Sequence, residues 1–353
     1  VTPTLAEIRA FPKVSLHDHL DGGLRVETIL ELAEERNIAL PAGDPEGLRA
    51  WFAERTTVGS LEGYLEGDAV TAAVLVDTEA LRRVARESVQ DLSSDGVVYA
   101  ELRWAPTDLL RHGVPMEDAV AAVSDGLRDG ERVARERGSA IQVRQILCAM
   151  RHESGSESVA ALAISCDDVV GFDLAGPESG FPPSLHRAAF DVARAGGLPV
   201  TVHAGEVEGV GSVLEAIDVA GARRIGHGIR VVDDLTDSGG RGPVAERIVE
   251  QGIVLEVCPS SNFHTGAVIR DSPDVAAHPF DRLHRAGLAV TVNTDNRLTS
   301  RTSLTQELEM LCAAFGYSMT DIAAFQATAA AAAFSPTALS AFQSAMSSYD
   351  RRM

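Results

Sequence analysis

The stretch VSLHDHL, from Val14 to Leu20, places two imidazoles, His17 and His19, two residues apart in an apolar run. Val14, Leu16 and Leu20 give it the character of a buried strand. Side chains at i and i+2 of a strand point to the same face, so both rings share one side. Two buried imidazoles cost stability unless their nitrogens find partners. A metal ion is one such partner, and hydrogen-bonded core histidines are the plain alternative. The H-x-H pattern alone does not choose between them; the rest of the chain does.

Seven more stretches of the same kind follow: GVVYAELRWAP from Gly96, AIQVRQILCAM from Ala140, VVGFDLAG from Val169, LPVTVHAGE from Leu198, RRIGHGI from Arg223, GIVLEVCPSSN from Gly252 and LAVTVNTDN from Leu288. They are rich in Val and Ile, as parallel strands buried on both faces are. Amphipathic segments separate them, for example MEDAVAAVSDGLRDGERVARERG from Met116. Eight alternating units predict an α/β fold, a (β/α)8 TIM-type barrel forming one domain over 1–353. A doubly wound open sheet is the competitor, but no G-x-G-x-x-G follows the first strand. The interval of roughly 24–95 is too long for one crossover and predicts inserted helices forming a lid over one end of the barrel. The tail from Ser303 predicts two or three more helices at the C-terminus.

Composition narrows the partners. The chain has 353 residues and a formal net charge of -20. Such acidity argues against nucleic acid and anionic membrane surfaces. Cys148, Cys166, Cys258 and Cys312 show no paired spacing, so neither a C-x-x-C redox motif nor a thiolate zinc site is indicated. The first residues, VTPTLAEIRAFPK, lack the basic and apolar regions of a signal peptide, and no apolar run reaches membrane-spanning length. The expectation is a cytoplasmic protein.

Barrel chemistry sits at the C-terminal ends of strands. There the sequence places His17, His19, Asp21, Glu101, Asp173, His203, Glu206, His227, Glu256 and Asp295. In HAGE, Gly205 permits a sharp turn that lets His203 and Glu206 face one mouth. In GHG, His227 stands between two glycines. In NTD, Asp295 ends the eighth strand. Three histidines and an aspartate form a mostly nitrogen site of the kind that suits zinc. Glu101 and Asp173 read as structural partners within the barrel. Asp18, on the opposite face from the two histidines, reads as a local hydrogen-bonding group, and Cys258 as a small buried apolar group. His112, His152, His186, His264, His278 and His284 read as surface or ordinary packing residues.

HDHLDGG, HAGE, GHG and NTD, in that order and on those strands, closely resemble the adenosine deaminase family of zinc aminohydrolases. YAELRWAP, DLAG and EVCPSSN extend the resemblance from about Pro12 to Ser303. It implies that His17, His19, His203 and Asp295 hold one Zn2+, which lowers the pKa of water. It implies that Glu206 protonates a purine ring nitrogen, that His227 orients and stabilises the attacking oxygen, and that Asp295 also accepts the water's proton. Asp21 would bind a ribose hydroxyl, and the Gly176 backbone N–H a purine nitrogen. The implied reaction deaminates adenosine and 2′-deoxyadenosine to inosine and 2′-deoxyinosine, within purine and nucleotide metabolism.

Two departures bear on substrate. The commonest family pattern is NTDDP, whereas this chain has NTDNR, with Asn296 and Arg297. Asn carries a permanent NH2 donor, so contact to a purine nitrogen is retained. The segment SLEGYLEGDAVTAAVLVDT from Ser60 lacks the aromatic near Gly67 or Asp68 and the H-T pair at Val70 and Thr71 that relatives usually carry. The same chemistry on another 6-aminopurine, adenine or a 5′-modified adenosine, is the second reading. A non-catalytic purine-nucleoside-binding barrel is the third.

Overall fold

The computed structural model describes residues 2–55, 61–237, 239–268 and 274–351. The helical lid stretch read from Ser60 onward is therefore described from Leu61, and Ser60 lies outside the described residues. The eight strands are β1 Lys13–His19, β2 Val97–Trp104, β3 Gln142–Met150, β4 Val169–Ala175, β5 Thr201–Ala204, β6 Arg224–His227, β7 Val254–Val257 and β8 Ala289–Val292. Seven fall inside the stretches read from sequence, and β1 begins one residue before its stretch, at Lys13.

All neighbouring strands pair in parallel, in the orders β1-β2-β3-β4 and β5-β6-β7-β8. Two bridges join these halves into a closed ring. Phe172 pairs with Val200 between β4 and β5, and Asp18 pairs with Asp295 between β1 and the end of β8. Closure leaves no strand edge exposed, which removes the pairing liability of an open sheet. Helices follow the strands and cover the ring with apolar faces. The longest, Met116–Glu136, buries Ala119, Val120, Val123 and Leu127 at helical spacing.

Among the described residues, four helices lie between β1 and β2: Val26–Arg36, Pro45–Arg55, Leu61–Val74 and Thr78–Ser94. Three more end the chain: Leu304–Phe315, Met319–Ala332 and Thr337–Asp350. Both insertions match the sequence expectation. Among the described residues no helix is long and apolar enough to cross a membrane.

The barrel interior holds charge as well as apolar bulk. Arg224 meets Glu101 at 2.7 Å and Glu256 at 2.5 Å, and Arg103 meets Asp173 at 2.8 Å and Glu256 at 2.7 Å. All five side chains are buried. Such charges are tolerated only when each is paired, and removing one partner costs about 3–5 kcal/mol. Glu101 takes the structural part read for it, paired inside the barrel with Arg224. It accepts from the Tyr99 hydroxyl and from the Phe334 backbone N–H, tying the barrel to the C-terminal helices. The reading of Asp18 is corrected. Its carboxylate does not bond locally; it pairs with Arg297 at 2.8 Å, linking β1 to the segment after β8.

Candidate active site

The sequence-predicted residues converge at the C-terminal mouth of the ring. His17 and His19 come from β1, His203 from β5, His227 from β6 and Asp295 from just beyond β8. Donor atoms of His17, His203, His227 and Asp295 all lie within 4.8 Å of one another. His19 Nε2 joins them, 3.2 Å from His203 Nε2 and 3.3 Å from Asp295 Oδ1. His17 Nε2 stands 3.5 Å from the same Asp295 oxygen.

Carboxylates aim the rings from behind. His17 Nδ1 is 3.0 Å from Glu256 Oε2, and His203 Nδ1 is 3.1 Å from Asp173 Oδ2. An ionised carboxylate only accepts, so each Nδ1 carries the ring proton and each Nε2 offers a lone pair inward. Arg103 holds both carboxylates at once. Although burial alone would raise them, Arg103 and the imidazoles keep Asp173 and Glu256 well below the usual carboxylate range. Asp173 therefore plays the structural part expected of it, and Glu256 shares that part.

The donor set fits a divalent metal. His17 Nε2 is buried and has no hydrogen-bond partner. Two imidazole lone pairs facing each other at 3.2 Å repel unless a cation lies between them. Burial drives the pKa of His17 down to about 4 and that of His19 well below its ordinary value, so the rings are neutral, as ligands must be. Asp295 remains ionised despite burial because His17 and His19 adjoin it. Nitrogen-rich donors with one carboxylate suit zinc and its neighbours in the first transition row.

Local backbone shapes the site. His227 and Asp295 have φ of 63° and 59°, the left-handed region that residues with a Cβ disfavour. Such strain costs on the order of 1–3 kcal/mol each and persists only where surrounding structure imposes it. Gly22 is needed because a Cβ there would lie 2.0 Å from Asn296 Oδ1, so HDHLDGG and NTDNR pack directly together.

Glu206 lies beside the metal donors in the same cavity, with Oε2 3.6 Å from His227 Nε2 and Oε1 accepting from Thr265 Oγ1 at 3.0 Å. Burial raises its pKa, and the Asp295 charge adds to the effect. The turn that carries it is held by Glu178, which sequence reasoning missed. Glu178 accepts from four successive backbone N–H groups, Gly205 to Glu208, and from Ser212 Oγ. Its only sequence signal is a carboxylate following DLAGP at the end of β4. Ser261 was missed as well; its hydroxyl donates to Asp295 Oδ2 at 2.6 Å.

Beyond the donors opens a cavity of about 170 Å³. His19, His203, Glu206, His227 and Asp295 line it, together with Asp21, Gly176 and Asn296, the three residues read from sequence as substrate contacts. Helix Leu61–Val74 roofs it with Asp68, Thr71 and Ala72. Asn296 Nδ2 donates to Asp68 Oδ1 at 3.1 Å. Thus the two departures noted in the sequence meet each other. Burial raises the pKa values of Asp21, Asp68 and Asp108, and repulsion from neighbouring carboxylates adds to it at Asp21 and Asp68, bringing Asp21 to about 7.

Comparison with known proteins agrees with this geometry. The adenosine deaminase family model matches residues 12–341. The adenosine deaminase of Mycolicibacterium vanbaalenii is 48% identical over 338 residues, covering 94% of this chain and 92% of that protein. A zinc-bound amidohydrolase of Burkholderia ambifaria superposes with a TM-score of 0.83 at 27% identity, covering 99% of this chain and 94% of that one. The adenine deaminase of Arthrobacter aurescens gives 0.81 at 28% identity, covering 96% and 99%. The family match spans both the strand-end histidines and the turn that carries Glu206, and on that ground the chain belongs to the adenosine deaminase family.

Proposed function

We propose that this chain hydrolyses adenosine and 2′-deoxyadenosine to inosine and 2′-deoxyinosine, releasing ammonia. The observation that carries the reading is Glu206: a carboxyl whose pKa burial raises, in the same cavity as Asp295, whose pKa is held well below its ordinary value. A site with its acid and its base set apart in this way can protonate a ring nitrogen and deprotonate water at one pH.

His17, His19, His203 and Asp295 would hold one Zn2+. Bound there, the ion supplies Lewis acidity and makes water easier to deprotonate near neutral pH. The protein's own groups do the rest. The Gly176 N–H and the Asn296 amide hold purine nitrogens, and Asp21 accepts from a ribose hydroxyl. Glu206 passes its proton to N1, which breaks aromaticity and leaves C6 electrophilic. Water adds through oxygen to C6 while Asp295 takes one of its protons. His227 donates to the incoming oxygen and fixes its direction. The C6–N bond then breaks, the amine leaves as ammonia with the proton from Asp295, and the new hydroxyl proton restores Glu206. The balance is nucleoside plus water giving 6-oxo nucleoside plus ammonia.

The cavity wall favours nucleosides over two competitors. Asp21, Asp68 and Asp108 line it without any Lys or Arg among the lining residues, so a 5′-phosphate would face carboxylates. Free adenine would leave these acceptors without donors, and unpaired polar groups oppose its binding. The helices between β1 and β2 complete the cavity as a lid belonging to the same barrel domain. Ammonia release from adenosine, adenine and AMP by zinc-loaded protein tests the reading. Release mainly from adenosine supports it; preference for adenine, or none from any of the three, rejects it.

A further inference from the structure

A run of side chains beside the site has no part in the chemistry above. His278 is 2% exposed and precedes the helix Phe280–Arg285. The Phe280 backbone N–H points at its Nδ1 from 3.1 Å. A backbone N–H only donates, so Nδ1 bears a lone pair. Burial pushes the ring's pKa down to about 3, so the ring is neutral and its one proton sits on Nε2. That Nε2 lies 3.4 Å from the side-chain oxygen of Asn262. A donor faces an acceptor there, which orients the amide and turns its NH2 the other way. The NH2 lies 3.0 Å from His227 Nδ1. His227 Nδ1 must therefore accept, and the proton of a neutral His227 ring sits on Nε2, the nitrogen facing Glu206.

We propose that His278 and Asn262 are positioning residues that set the tautomer of His227, so that its nitrogen facing the cavity is a hydrogen-bond donor and not a metal ligand. One unambiguous donor, the Phe280 N–H, propagates its polarity through three side chains, His278, Asn262 and His227, to the cavity floor. The assignment decides between His19 and His227, which geometry alone leaves equivalent. With Nε2 protonated, His227 has no inward lone pair, and His19 completes the ligand set. The catalytic consequence rests on the deaminase reading; the hydrogen-bond polarity does not. A donor at His227 Nε2 holds an attacking oxygen so that a lone pair faces C6. The opposite tautomer would present a second acceptor and repel that oxygen.

The test is the tautomer itself. Zinc-loaded protein labelled with 15N in histidine would be examined by long-range 15N–1H correlation, with His227 assigned by loss of its signals in His227→Asn. A protonated Nε2 and a bare Nδ1 on His227 is the expected result; a proton on Nδ1 overturns the proposal, whatever the variants do. Asn262→Asp puts an acceptor opposite Nδ1 and should move the proton there, lowering kcat about 10–100-fold with KM and zinc content near those of the parent. An unchanged His227 spectrum in that variant also overturns it. His278→Leu should give mixed His227 tautomers, and His278→Gln, whose NH2 takes the place of Nε2–H, should recover most of the lost rate. If the parent shows the expected tautomer yet releases no ammonia from adenosine, the proposed function fails while the hydrogen-bond assignment stands.

Discussion

His17 and Asp295 meet twice. The Asp295 backbone N–H donates to the His17 carbonyl at 3.0 Å, and the Asp295 carboxylate stands 3.5 Å from the His17 ring. The first contact helps to close the barrel, and the second places a negative charge among the imidazoles. Fold closure and site assembly are one event here. Asp295 makes both contacts from a left-handed backbone, with φ of 59°.

Glu206→Gln keeps the size and burial of the side chain but removes the proton that N1 needs. Turnover should fall about 10²–10⁴-fold, the usual worth of a positioned acid. Metal content, measured alongside ammonia release, should be unaltered, because Glu206 lies beside the metal donors and is not one of them. A rate near that of the parent would remove Glu206 from the mechanism.

Withdrawing the metal should abolish turnover and lower the thermal midpoint together. Without a cation, the facing nitrogens of His19 and His203 repel across 3.2 Å. An ion that binds only the folded state stabilises it by about 2.7 kcal/mol at a hundred times its Kd. Chelation followed by calorimetry, then titration with zinc, checks both effects. A midpoint insensitive to chelation and zinc would contradict the donor assignment.

Glu178→Ala strips the acceptor from four backbone N–H groups and Ser212. A buried donor left without a partner costs about 1–3 kcal/mol, so the Gly205–Glu208 turn should loosen. The expected outcome is a fall in kcat larger than the change in zinc content, since Glu206 rides on the turn and His203 lies on the strand before it. Stopped assays and metal analysis on the same preparation would show this split.

Acid should expose the burial of His278. Its pKa is about 3 in the folded chain and 6.5 in the ordinary state. Below pH 6.5 the unfolded chain gains a proton that the folded one refuses, so stability is lost as pH falls from 6.5 towards 3. His278→Gln has no such group and should lose less. Between pH 6.5 and 4.5 the two proteins should converge by about 2–3 kcal/mol in urea unfolding. Parallel curves would mean that His278 already carries a proton when folded.

Asp68→Ala breaks the contact that ties helix Leu61–Val74 to Asn296 at 3.1 Å. Burial and its acidic neighbours raise the pKa of Asp68, so the bond is of the ordinary kind, contributing about 0.5–1.5 kcal/mol, and KM for adenosine should rise about 2–10-fold. The effect on kcat should be smaller, because no reacting atom touches Asp68. Steady-state kinetics distinguishes this outcome from a loss confined to kcat.

Much of the molecule is legible from the chain alone. Eight Val- and Ile-rich stretches with intervening amphipathic segments specify a parallel α/β barrel, because burial on both faces leaves a local mark on every strand. HDH, HAGE, GHG and NTD are legible for a related reason. A strand's alternation and a glycine's turn decide locally which way a side chain faces, so strand-end chemistry survives as short motifs.

Only tertiary structure decided what those motifs rest on. Asp18 finds Arg297 across the barrel seam, Glu178 reaches back to the turn after β5, and His278 connects through Asn262 to His227. Glu101, read from sequence as a structural partner, finds its actual partners, Arg224 and the Phe334 N–H, only in the closed barrel. Asn296 and Asp68, separate departures in the sequence, become one contact. Each partnership joins residues distant in the chain, and a hydrogen bond depends on separation in space rather than along the backbone. Periodicity reports which face a residue takes; the closed ring alone reports what it meets there.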